Sequence, residues 1–359
     1  SAEDLRGWFR QMQQKGLHTI RGHIILNRGA FQTRSSDHAG TPVPNSANPH
    51  HAWPEAFVLD EGVITIDAKV VGAGLDLQMS PRLDGVTFLN LSKVKKVKCS
   101  ALKQPITVSF EELYQPPRIL VQGDWAPGCS PSRFTIATLP GSRFAPMAVA
   151  AAWRDAGGVL DGLVMQPESA YAMANLARSH KPFAVHESAR LGSLLRDMNK
   201  WSNNLMARML LFSIGAKDNA RPVTRAQGEA TLLKHLQSRG LDVTGIVLDN
   251  GSGLSRTTRV SSRFMTALLR QAWHSPHMPE FMASLSIAGV DGTMRRRFRT
   301  GAERGRMHLK TGSLQNVSAV AGYVHAQNGK TYVVNVMVNY TNANYGIGTE
   351  LQNALLSWV

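Results

Sequence analysis

Two short polar stretches stand out for the chemistry their side chains could perform together. Ser202-Asn203-Asn204 sets a hydroxyl and two carboxamides in a row, and Lys310-Thr311-Gly312 sets an ammonium beside a second hydroxyl and a residue without a side chain. A hydroxyl donates and accepts at once, so a serine can pass a proton on, while a lysine next to a small hydroxyl can hold a carboxylate. The glycine lets a ligand approach the backbone closely. Each stretch also has a plain reading. Ser and Asn favour helix ends and turns, and Lys-Thr-Gly occurs in loops and strand ends. Taken singly, either would be read as a cap or a turn.

The elements around them make the pair more specific. Leu191, Leu194, Leu195 and Met198 fall at helical spacing before Ser202, and Leu205, Met206, Met209 and Leu210 resume that spacing after it. The pattern predicts two helices meeting at a polar joint. Residues 305–312 read as a strand, 317–325 as its neighbour, and 331–338 as a third strand across an Asn328-Gly329 hairpin turn. Lys310 then lies at the exposed end of a strand.

A serine-x-asparagine joint followed by Lys-Thr-Gly on a strand is part of the signature of penicillin-binding proteins and class A β-lactamases. The sequence also carries Asn250-Gly251-Ser252-Gly253-Leu254-Ser255-Arg256, Ala288-Gly289-Val290-Asp291-Gly292-Thr293, Lys310-Thr311-Gly312-Ser313-Leu314 and Ala321-Gly322-Tyr323-Val324. With these it resembles the D-alanyl-D-alanine carboxypeptidase/endopeptidase family, the class C low-molecular-mass penicillin-binding proteins. The likeness runs along the whole chain and is clearer after residue 185.

The resemblance implies an α+β fold. A β-lactamase/transpeptidase-like domain, an antiparallel sheet flanked by helices, is expected at 175–359, and mostly β-rich inserted domains framing the cleft at 1–174. It implies acyl transfer from peptidoglycan peptides ending in D-alanyl-D-alanine. Ser202 would relay a proton to the leaving amine, and Asn204 would hold the substrate amide. Lys310 and Thr311 would take the terminal carboxylate. Gly312 would allow close approach, and the Ser313 N–H would form half of an oxyanion hole. No cofactor or metal is implied. Partners would be peptidoglycan stem peptides and cross-links, with β-lactams as covalent inhibitors of the complete enzyme.

The nucleophile of that family sits in an S-x-x-K motif that opens an apolar helix. Two stretches match the letters, Ser92 to Lys95 and Ser100 to Lys103, and both fall in a Lys-rich, strand-like segment. Neither opens such a helix, so the expectation is that the nucleophile lies upstream of this chain. The start, Ser1-Ala2-Glu3-Asp4, carries no apolar leader, which fits an exported, periplasmic protein whose amino terminus is not included. That compartment would let Cys99 and Cys129 pair, the alternative being two separate buried thiols. Two other functions stay open: a non-catalytic peptidoglycan-binding or scaffolding protein that kept the carboxylate site, and a β-lactamase. Glu229, the candidate deacylation base for the latter, leads to Leu232-Leu233 without the Asn of that motif. Asp249 and Asn250, ahead of the Gly251-Ser252-Gly253 turn, are better explained by the turn than by catalysis.

The formal charge of +15 asks for a polyanionic partner or a tolerant surface. Lys93, Lys95, Lys96 and Lys98 form one cluster, and Arg295, Arg296, Arg297 and Arg299 another. With only 7% aromatic residues and no nucleic-acid-binding signature, cell-wall carboxylates fit better than nucleic acid. No apolar run reaches the length of a membrane span. His38, His50 and His51 lie in a Ser/Pro/Asn-rich loop over 33–54 and match no zinc spacing, and His186-Glu187 lacks the second His of a zincin.

Elsewhere, Leu5, Trp8 and Met12 predict a helix stopping at Gly16, and 20–26 a buried strand. Residues 57–59 and 63–71 predict a hairpin about Asp60-Glu61-Gly62. Further strands are expected at 86–91, 106–110, 119–122, 134–137 and 163–165. Pro146 is expected to begin an Ala-rich helix ending at Gly157-Gly158. Leu232, Leu233 and Leu236 predict a helix and 246–248 a strand. Leu351, Leu355 and Trp358 predict a last helix packed on the sheet beside the Lys310 strand.

Overall fold

The structure, a computed structural model, describes residues 1–34, 37, 52–72, 74–102, 104–111, 113–126, 129, 133–136, 141–166 and 181–359. The chain forms two compact units, Ser1–His186 and Glu187–Val359. The expected boundary near residue 175 falls outside the described residues. So do His38, His50 and His51, Lys103 and most of the 33–54 loop.

In the first unit, helix α1 (Ala2–Gln14) opens with a capping box in which Ser1 and Asp4 satisfy each other's backbone N–H. Leu5 and Phe9 on its inner face meet Trp153 of α2 (Gly141–Asp155), with the Phe9 and Trp153 rings edge to face at 5.2 Å. Strands β1 (Ile64–Val71), β2 (Gly74–Ser80), β3 (Thr87–Val94), β4 (Thr107–Glu111), β5 (Arg118–Trp125) and β6 (Arg133–Ile136) make two three-stranded sheets. Their orders are β2-β1-β6 and β3-β5-β4, with β3 and β5 parallel. Ile64, Ile66, Ile119, Val121 and Ile136 join Phe144, Ala148 and Trp153 in one core. Cys99 and Cys129 are disulfide-bonded, with Cα atoms 5.4 Å apart. Closing a loop of that length stabilises the fold by roughly 3 to 4 kcal/mol on the chain-entropy model.

Four expectations for this unit need correcting. Residues 57–59 do not pair with β1, whose hairpin partner is β2, the strand after it. Asp60 and Glu61 both take left-handed backbone angles in a short turn, and both Asp60 carboxylate oxygens accept the Ala2 N–H at the start of α1. A helix start needs such acceptors, and that bond holds 60–62 as a turn. Residues 20–26 form two separate two-residue strands, each parallel to a segment after α2: Thr19–Ile20 beside Val159–Leu160, and Ile24–Ile25 beside Val164–Met165. The third expectation, a strand over 163–165, is thus only two residues long. Fourth, α2 starts before Pro146, which sits inside it and forfeits one backbone bond.

The second unit is built on an antiparallel sheet whose strands run Ser286–Ile287, β7 (Met307–Leu314), β8 (Val317–His325) and β9 (Thr331–Asn339). Helices α3 (Leu191–Trp201), α4 (Asn204–Gly215), α5 (Arg225–Ser238), α6 (Ser262–Trp273) and α7 (Met278–Ser284) precede β7, and α8 (Ile347–Trp358) closes the chain. Side chains alternate along β7. Met307 and Leu309, at 1% and 0% exposure, face a cluster with Val320, Val324 and Leu356. His308 and Lys310 stand opposite Tyr323 and Ala321 on the other face, where Leu269, Leu285 and Phe281 gather around Tyr323.

Two corrections apply here. Residues 246–248 make only an isolated bridge, Val247 to Arg259, before the Asn250–Gly253 turn. Helix α8 does pack on β8, but through Gly348, Gln352 and Leu356, leaving Leu351, Leu355 and Trp358 at 49%, 41% and 85% exposure. Small and polar residues set this face. A Cβ on Gly348 would lie 2.5 Å from the Ala343 carbonyl and 2.6 Å from Ser318 Cβ, and Gln352 donates to Ser318 Oγ at 2.9 Å.

Candidate active site

The Ser202 joint forms because two helices exchange caps within three residues. Ser202 ends α3 in the left-handed conformation (φ 54, ψ 47), where few non-glycine residues sit. Asn203 then caps both helices. Its N–H donates to the Met198 carbonyl at 2.9 Å, and its side-chain oxygen accepts from the Met206 N–H at 2.9 Å. The plain capping reading therefore holds for Asn203, while the Ser202 hydroxyl is left for another partner.

That partner is Lys310. Its ammonium donates to Ser202 Oγ, 108 residues away in sequence, and to the Thr311 carbonyl at 2.7 Å. An ammonium has three N–H groups, so one direction remains for a ligand. Burial lowers the Lys310 pKa from its ordinary 10.5 to about 8. Two residues back on the same face, His308 is held below the usual imidazole range, first by burial and then by the charge of His325, with ring centroids 5.6 Å apart.

The remaining expected residues lie where the sequence puts them along the chain. Asn204 is the first residue of α4, and its carbonyl accepts from Arg208 Nε at 3.2 Å. Thr311 donates to Thr293 Oγ1 at 2.8 Å. Gly312 and Ser313 are exposed on β7, opposite Ala319 and Ser318 of β8. Glu229 and Asp249 are both engaged by Arg225, and Asn250 accepts from the Ser252 N–H and hydroxyl at 3.0 and 2.8 Å. Ser92 donates to Asn90 Oδ1 at 2.5 Å on β3, and Ser100 lies in a short turn, Cys99–Ala101. Among the described residues, no group of three or more His, Cys, Asp or Glu is placed to hold a metal ion. No helix among them is long and apolar enough to cross a membrane.

Sequence reasoning missed the polar residues behind the joint. Lys200 donates to Asp291 Oδ2 at 2.5 Å and to the Leu285 carbonyl at 3.0 Å, and Asn199 donates to Ser284 Oγ at 2.8 Å. The signal available was Asp291-Gly292-Thr293, which entered the reading only as one piece of a resemblance.

A family model described as the D-Ala-D-Ala carboxypeptidase 3 (S13) family matches residues 1–358. The chain belongs to this family. Among its relatives, the D-alanyl-D-alanine carboxypeptidase of Actinomadura sp. (strain R39) is 39% identical over 152 residues, which make up 41% of this chain and 28% of that protein. Carboxypeptidase DacB of Mycolicibacterium smegmatis is 32% identical over 192 residues, 52% of this chain and 42% of that one. The chain thus spans less than half the length of either relative. Penicillin binding protein 4 (dacB) from Haemophilus influenzae superposes with a TM-score of 0.73 at 21% identity, covering 98% of this chain and 79% of that one. A second structure of that protein, complexed with a β-lactam, gives 0.69 at 21% identity over 99% and 78%. At this identity the likeness establishes the fold, a penicillin-binding transpeptidase-like arrangement of helices and sheets, as the resemblance led one to expect.

Proposed function

We propose that this S13 chain is the carboxy-terminal portion of a serine-type D-alanyl-D-alanine carboxypeptidase/endopeptidase that acts on peptidoglycan peptides in the periplasm, with residues 1–174 its inserted, non-catalytic part. The observation that carries the reading is the contact between Ser202 Oγ and the half-buried Lys310 ammonium. It pairs a proton-passing hydroxyl with a carboxylate-seeking cation on two elements far apart in sequence.

A serine outside these 359 residues attacks the carbonyl of the penultimate D-alanine. Ser202 passes a proton to the departing amine, and the C–N bond breaks to release the terminal D-alanine. Water then hydrolyses the acyl-enzyme and regenerates the serine. Lys310 and the Thr311 hydroxyl hold the terminal carboxylate. A hydrogen bond to a charged group is typically worth about 1.5 to 3 kcal/mol, enough to favour a free carboxylate over an internal amide. The Asn204 carboxamide orients the substrate amide, Gly312 admits it close to the backbone, and the Ser313 N–H supports the oxyanion.

Intact mass after exposure to a β-lactam tests this. The 359-residue chain is expected to stay unlabelled, and a longer chain carrying an upstream S-x-x-K segment to gain one adduct. An adduct on the 359 residues would place the nucleophile within them. An unlabelled longer chain would overturn the enzyme reading in favour of a wall-binding protein.

A further inference from the structure

Behind Thr311 runs a chain of hydroxyls that the roles above do not use. Thr311 donates to Thr293 Oγ1 at 2.8 Å, and Thr293 Oγ1 lies 3.2 Å from Ser286 Oγ. Ser286, fully buried, accepts the Thr293 N–H at 3.1 Å and donates to the Lys200 carbonyl at 3.3 Å. Lys200 lies two residues before Ser202, so the chain links the carboxylate-seeking strand to the base of the proton-passing joint. Little slack exists around it. Gly292 has φ +56, and a Cβ there would lie 2.3 Å from Ser286 Oγ and 2.7 Å from the Lys200 carbonyl oxygen.

We propose that Thr293 is a positioning residue that aims the Thr311 hydroxyl at the substrate's terminal carboxylate by reversing its own hydrogen bond when the carboxylate arrives; the inference rests on the carboxylate role proposed above for Lys310 and Thr311. Each hydroxyl has one proton. Without substrate, the Thr311 proton goes to Thr293 and the Thr293 proton goes to Ser286. A bound carboxylate takes the Thr311 proton, which would leave the Thr293 oxygen without its donor. Thr293 then turns its O–H to Thr311 Oγ1, an arrangement that polarises the Thr311 O–H toward the carboxylate. Ser286 keeps the Thr293 N–H and its bond to the Lys200 carbonyl throughout. No covalent bond changes, and every hydroxyl stays paired in both states.

The test is equilibrium binding of N-acetyl-D-alanyl-D-alanine and of its C-terminal amide to the wild-type chain and to Thr293→Val and Thr293→Ser, with thermal unfolding as a control on folding. The wild type should prefer the acid. Thr293→Val should lose about 5- to 10-fold of that preference, the scale of one neutral hydrogen bond, while Thr293→Ser keeps it. Thr293→Ala, which removes the hydroxyl without adding bulk, replaces Val if Val disturbs the fold. An undiminished preference in the hydroxyl-free variant, or an equal loss in Thr293→Ser, overturns the positioning role and leaves the carboxylate reading standing. A wild type with no preference for the acid overturns both.

Discussion

One sheet in this protein has two differently made faces, and β7 belongs to both. Toward α8 it presents Met307 and Leu309, which are sealed in an apolar cluster. On the opposite face it presents His308 and Lys310, half-buried groups whose charged forms burial disfavours. Tyr323 on the neighbouring strand continues that second face. Its hydroxyl donates to the Leu269 carbonyl at 2.8 Å, and burial pushes its pKa up to about 12. The first face therefore holds the sheet together, while the second keeps an ammonium in a setting where a carboxylate would gain more than it would in water. From Met307 to Lys310, sealed apolar and ionisable side chains alternate residue by residue along one strand.

The strongest way to break this contrast is Leu309→Ala. Truncating a fully buried leucine in a close-packed cluster should cost about 2 to 5 kcal/mol of folding stability. Denaturant unfolding should show the midpoint falling with an unchanged slope. A loss no larger than that of a surface substitution would mean that this face is not the sheet's main support.

Lys310→Met should do the reverse. It removes the group proposed to hold the substrate carboxylate, so kcat/KM of the proposed longer enzyme should fall by roughly 10- to 100-fold, corresponding to about 1.5 to 3 kcal/mol. The melting temperature should rise, because holding the charge in a buried site is costly. A drop in pKa from 10.5 to about 8 corresponds to on the order of 3 kcal/mol. A variant that lost both activity and stability would show that the lysine holds the fold as well as the ligand.

The pH dependence sharpens the same point. Between about 8 and 10.5 the unfolded chain binds more protons at this lysine than the folded one. Its contribution to stability therefore rises with pH across that window, and the destabilisation is fully present below pH 8. Carboxylate binding runs the other way. In the role proposed for Lys310 it needs the ammonium, so kcat/KM should be level on the acidic side of pH 8 and then fall toward tenfold per unit above it. The C-terminal amide of the same peptide should lack that alkaline limb, and finding the limb with the amide would assign it to another group.

Much of this was legible because periodicity and turn chemistry agreed. Leucine spacing broke only at Ser202-Asn203-Asn204, and Asn328-Gly329 fixed the pairing of β8 with β9. What stayed hidden depends on contacts far apart in sequence. No local pattern says that Asp60 turns to cap α1, or that Ser202 takes a left-handed backbone while Asn203 does the capping. Nor does one say that Ser286 and Thr293 stand between Thr311 and Lys200. These residues are polar, short and unremarkable in composition, and the tertiary fold alone gives them partners.

The last helix shows the limit of reading apolar spacing as burial. Leu351, Leu355 and Trp358 repeat at helical intervals, yet α8 turns them outward and docks through Gly348, Gln352 and Leu356. Depth of approach decides this. Only the Gly348 side can come close enough for Gln352 to reach Ser318 and for Arg297 to donate to Gln352 Oε1 at 3.1 Å and Asn353 Oδ1 at 2.6 and 2.9 Å. Trp358→Ser should therefore change the stability of the 359-residue chain by no more than about 0.5 kcal/mol, as for other surface positions. Leu356→Ala, two residues away, should cost about 2 kcal/mol or more. Chemical unfolding of the two variants side by side decides the matter: a Trp358→Ser loss as large as that of Leu356→Ala would mean that α8 presents its tryptophan face to a support of its own.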